Sequence, residues 1–77
     1  MFLRINNTIV NLQMLRKVFA EWRTDGNGYR VSIVCEDNAG DLTTVSSRVF
    51  ENIDDARAYE RNMIAMIKVY LNAKEAV

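Results

Sequence analysis

Residues 53–71 read IDDARAYERNMIAMIKVYL. Ile53, Ala56, Tyr59, Met63, Ile64, Met66, Ile67, Tyr70 and Leu71 recur at helical spacing. At about 100° per residue they fall within roughly 160° of one circumference. A stripe that wide needs a cover, so the stretch predicts a long amphipathic helix lying on another element. Asn52 supplies an N-cap, and Asp55 stands three residues on as an acidic variant of the capping box. Asp54 and Asp55 suit the positive end of the helix dipole. Glu60 falls inside the arc, between Ala56 and Ile64, so its carboxylate must reach solvent or pair with an arginine.

The cover is legible upstream. Phe2 to Ile5 and Thr8 to Val10 read as two short strands around an Asn6-Asn7 turn, since asparagine tolerates positive φ. Tyr29 to Asp37 alternates: Tyr29, Val31, Ile33 and Cys35 share one face, with Arg30, Ser32, Val34 and Glu36 on the other. Asn38-Ala39-Gly40 makes a turn, and Leu42 to Phe50 returns as a partner strand rich in Thr, Val and Ser. There the alternation slips. Val45 and Val49 fall on one face, Leu42 and Phe50 on the other, and a bulge near Ser46-Ser47 would account for it.

Leu12 to Arg23, LQMLRKVFAEWR, admits two readings. As a helix it places Leu12, Met14, Leu15, Val18, Phe19 and Trp22 on one side, with Asn11 as cap and Asp25–Gly28 as terminator. As a strand from about Arg16 to Thr24 it makes a hairpin with Tyr29 onward through the glycine-rich turn. Periodicity favours the helix. Either way the fold class is α+β: a small antiparallel sheet of about four strands packed against the C-terminal helix. Residues 1–77 are expected to form one domain, with Ala73 to Val77 fraying.

Composition narrows the function. A chain of 77 residues with 49% hydrophobic content is foldable but short of core, and such domains need a staple or a partner. Cys35 is the single cysteine and there is no histidine, so an internal disulfide is ruled out and a structural zinc site is not expected. No secretion signal or apolar run of membrane-spanning length is visible, so a cytoplasmic location is expected. Net charge is zero, but residues 36–56 carry six acidic and one basic side chain. An acidic middle does not suit nucleic acid; it can dock on a basic partner.

No catalytic constellation is present. Cys35 shares a face with Val31 and Ile33 and has no histidine to activate it, so it reads as core. Glu36, Asp37 and Asp41 lie at a hairpin tip. Glu51, Asp54 and Asp55 lie beyond the other end of the strand, about 30 Å away at the usual rise, too far for one carboxylate pair. Phosphate loops, dinucleotide fingerprints and serine nucleophile motifs are absent. No cofactor, catalytic residue, metal site or small-molecule substrate is therefore expected.

Asp25-Gly26-Asn27-Gly28-Tyr29 resembles the centre of an EF-hand calcium loop. Arg23 stands where that family has its first carboxylate and Val34 where it has its bidentate Glu, so the resemblance lacks the strongest ligands. Tyr29 to Asp37, Gly40, Phe50, Asn52, Asp54, Asp55 and Ala56 resemble the arm-binding domains of phage-type integrases. The likeness covers about half the chain and implies a strand pair followed by a helix. Of the basic residues that family uses on its sheet, only Arg30 and Arg48 have counterparts, so DNA binding is not carried over.

These readings converge on a small non-enzymatic interaction module, a homodimer or the binder of a protein partner, of bacterial or phage type. Trp22, Tyr59, Met63, Met66 and Tyr70 are the expected interface, since aromatic and methionine side chains suit surfaces shared between chains. One alternative is a nucleic-acid-binding module using Arg4, Arg16, Lys17, Arg23, Arg30 and Arg48. Another is a phage-encoded inhibitor that offers its acidic hairpin to a basic host protein.

Overall fold

A computed structural model describes residues 2–75, with side chains up to Asn72. The order of elements is β1 (Phe2–Ile5), β2 (Thr8–Asn11), β3 (Leu15–Asp25), β4 (Gly28–Asp37), β5 (Leu42–Phe50) and α1 (Ile53–Glu75). β1 and β2 form a two-stranded hairpin, and β3-β4-β5 form an antiparallel meander. The class is α+β as expected, with five strands instead of about four. The helix continues through Glu75, beyond the expected start of fraying; Ala76 and Val77 lie outside the described residues.

The favoured helix over residues 12–23 does not form. Asn11 does act as a cap: its Oδ1 accepts the Gln13 N–H at 3.1 Å, and Met14 N–H reaches the Asn11 carbonyl at 3.0 Å. The chain completes only that single turn and enters β3. Two irregularities explain the helical look. The Leu12–Met14 turn sets Leu12 and Leu15 three apart. A bulge at Arg16 then opposes Leu15 to Asp37 and Lys17 to Glu36, so Leu15 and Val18 are also three apart and both buried. An extra residue turns a period of two into a step of three, which imitates one helical turn. Beyond it β3 alternates, with Ala20 and Trp22 inward.

A second bulge falls in β5, one residue before the expected place. Ile33 faces Ser46 and Val34 faces Thr44, which leaves Val45 as the extra residue. Val45 therefore joins the buried side with Phe50, while Leu42 and Val49 lie on the other face. The pairing of Leu42 with Phe50 on one face is thus reversed by the bulge.

One side of the meander meets the helix. Its inward residues include Val18, Val31, Ile33, Cys35 and Val45. They form one cluster with Ile5, Val10 and Leu12 of the N-terminal segment and with Ala56 and Ile67 of α1. The helix lies mainly over β4 and β3, and more lightly over β5. Asn52 Oδ1 accepts the Asp54 N–H at 2.7 Å, so the cap forms as expected through its own side chain. The hairpin is tied to β5 by Asn6, whose Nδ2 donates to the Val45 carbonyl at 3.4 Å and to Ser46 Oγ at 3.2 Å. Asn6 holds a φ of 54°, as its turn position demands.

The other side of the meander is open. Ser32 and Ser47 hydroxyls meet at 3.1 Å, Arg30 Nη1 donates to Ser47 Oγ at 3.2 Å, and Arg30 Nη2 pairs with Asp25 at 3.0 Å. Phe19 and Val34 are cross-strand partners on this face, and the Lys17 ammonium sits 5.5 Å from the centre of the Phe19 ring. Val34 is buried although it stands outside the main cluster.

Candidate interaction surface

The helix stripe splits along its length. Tyr59, Met63, Ile64 and Leu71 pack against the core around Ala56 and Ile67. Tyr59 also meets Phe50 with ring centres 5.2 Å apart, and its hydroxyl bonds to Ser46 Oγ. Met66 and Tyr70 continue the same 59–63–66–70 line but remain 42% and 41% exposed, and Val69 beside them is 65% exposed. Trp22 lies half-buried on the core side of β3, edge-on to Tyr29 at 6.1 Å. Of the five expected interface residues, Trp22, Tyr59 and Met63 thus serve the core of this chain. Met66 and Tyr70 are the two left turned outward. Glu60 is half-buried, and no buried side-chain polar atom lacks a partner among the described residues, so its carboxylate is not stranded.

Further large apolar side chains stand exposed away from the helix. Phe2 and Ile9 occupy the outer face of the hairpin at 69% and 66% exposure, and Met14 and Leu42 are exposed as well. Periodicity points to neither Phe2 nor Ile9. Four-residue strands with Leu3, Ile5 and Val10 inward leave them no second layer to meet. A cleft of about 230 Å³ opens between β2 and the β4–β5 tip, with Ile9, Val10, Met14 and Leu15 on its walls and Cys35 beside Glu36.

The chemistry along that cleft is already committed. Burial pushes the Cys35 thiol up, so it stays protonated and unreactive near neutral pH. Glu36 lies 3.9–4.0 Å from both Lys17 and Arg16. Asp37 Oδ1 accepts N–H bonds from Ala39 at 2.9 Å and Asp41 at 3.0 Å, which braces the tip loop. No group of side chains able to hold a metal ion occurs among the described residues. At the glycine-rich turn, Gly26 takes a φ of 62° and Asp25 binds Arg30, so the calcium-loop-like residues close a two-residue hairpin.

The basic residues divide between surfaces, with Lys17, Arg23 and Arg30 in the open-face register of the meander. Arg23 and Arg30 are cross-strand partners on the open face, with Asp25 on Arg30. Arg48 belongs to the helix-facing register, 5.3 Å from the Phe50 ring centre, and Arg4 is on the separate hairpin. Arg30 and Arg48, the two residues shared with the integrase-like pattern, point to opposite sides of the sheet. No helix of the described residues is long and apolar enough to cross a membrane. Comparison with protein-family models, with curated proteins and with solved structures returns no match for this chain.

Proposed function

We propose that this chain is a non-enzymatic interaction module that works as a homodimer, with Met66, Val69 and Tyr70 in the shared surface. The observation that carries the reading is their exposure on the same helix whose other residues make the core. A chain of 77 residues has little core to spare, and apolar side chains left out of it gain by meeting a second copy. The lack of an activated thiol and the tied carboxylates at Glu36 and Asp37 favour binding over catalysis.

Sedimentation velocity at micromolar concentration tests this. The native chain is expected at dimer mass, and the double variant Met66→Ser/Tyr70→Ser is expected to shift towards monomer with its secondary structure intact. A native chain that sediments as a monomer across that range would remove the proposal. A salt-sensitive shift of DNA or RNA would favour the basic-residue alternative in its place.

A further inference from the structure

The open sheet has two outer edges, and they differ in how they are guarded. Natural sheets discourage edge pairing with charges, prolines, bulges or short strands. β3 carries a bulge and five charged residues: Arg16, Lys17, Glu21, Arg23 and Asp25. β5 has no proline and one charge, Arg48, and its bulge is confined to Val45, upstream of Ser47–Phe50. The hairpin bonds to β5 at that point, through Asn6. From Ser47 to Phe50 the outer edge has no backbone partner among the described residues, and Ser47, Arg48 and Val49 are all exposed.

The register fixes which groups are free. Asp25 and Gly28 close a two-residue turn, so they form a hydrogen-bonded pair and the pairs alternate from there. In β4 the odd-numbered residues then bond towards β5, in agreement with the 3.0 Å bond from Asp37 N–H to the Asp41 carbonyl. Ser46, Arg48 and Phe50 consequently bond to β4, while the N–H and C=O of Ser47 and Val49 point outward.

We propose that the Ser47–Phe50 edge pairs antiparallel with the same edge of a second copy, joining two three-stranded sheets into one. This inference rests on the homodimer reading and names its seam. A two-fold axis through Val49 keeps Arg48 from opposing itself and stays clear of the Val45 carbonyl that Asn6 occupies. With Val49 on the axis, Arg48 faces Phe50 of the second copy, which repeats the contact it makes within its own chain. Tyr59 touches Ser46 and Phe50, so the line that ends in Met66 and Tyr70 looks to the β5 side of the helix. Edge pairing therefore brings the two exposed helix flanks to the same side of the dimer.

Two substitutions and one exchange measurement decide it. Val49→Pro removes an outward donor while leaving the bonds to β4, a place where an edge strand tolerates proline. Val49→Lys, at a position already 43% exposed, puts like charges together at the seam and keeps the backbone. Each variant is expected to raise the dimer dissociation constant about tenfold or more. The Ser47 and Val49 amides of the native chain are expected to exchange more slowly as its concentration rises. Val49→Lys folded and as dimeric as native, while Met66→Ser/Tyr70→Ser is monomeric, would overturn the edge and leave the homodimer standing. A native chain that is monomeric would overturn both.

Discussion

Gly28 shows how narrow the tolerances are at single positions. A Cβ on Gly28 would stand 2.6 Å from the backbone carbonyl oxygen of Phe50, an atom that cannot move without shifting β5. Gly28→Ala is expected to cost about 1–3 kcal/mol, the usual range for overpacking, read as a lower urea midpoint. Gly26→Ala meets no atom within 4 Å but must hold a φ of 62°, so its cost comes from backbone strain. Cys35 gives a pH signature. Its thiol is raised by burial, so the unfolded chain loses that proton first as the solution turns alkaline. The thiol's contribution is whole below the ordinary thiol range and is lost as pH rises through the folded value. Cys35→Val is expected to lose less stability than the native chain between neutral and alkaline pH in parallel denaturant titrations. A disulfide-exchange reagent at neutral pH should react with native Cys35 far more slowly than with the unfolded chain.

Among the elements, existence was readable wherever turn residues or a cap marked the ends, and the positions of the bulges were not. β1, β4, β5 and the start of α1 follow from alternation, turn residues and the Asn52 cap. β3 was obscured because Leu12, Leu15 and Val18, all buried, are spaced by a turn and a bulge at steps of three. No local property of Arg16 announces that it is the inserted residue. Its place is set by pairing with β4, which is a tertiary fact. The split of the helix stripe is tertiary too: Tyr59 and Tyr70 have the same chemistry and the same helical phase, and only the position of the sheet beneath separates them. Asn52→Ala is expected to remove about 1 kcal/mol of stability by leaving the Asp54 N–H uncapped, while Asn52→Asp should preserve it. Equal losses for both substitutions in thermal unfolding would show that the cap does not act through its side-chain oxygen.

At the scale of the whole molecule, the chain divides its apolar residues unevenly. Ile33, Ile67 and Val31 are fully buried at the junction of sheet and helix, so Ile33→Ala is expected to cost about 2–5 kcal/mol and to threaten folding outright. Phe2, Ile9, Val69 and others stay outside that junction. A single layer of helix and hairpin covers one face of the meander, and nothing within the described chain covers the Met66–Tyr70 flank of the helix or the backbone edge of β5 from Ser47 to Phe50. Those uncovered surfaces point to self-association, which sedimentation velocity of the native chain over a micromolar concentration series measures. The boundary is expected to shift to dimer mass as concentration rises. A single boundary at monomer mass throughout the series would contradict it.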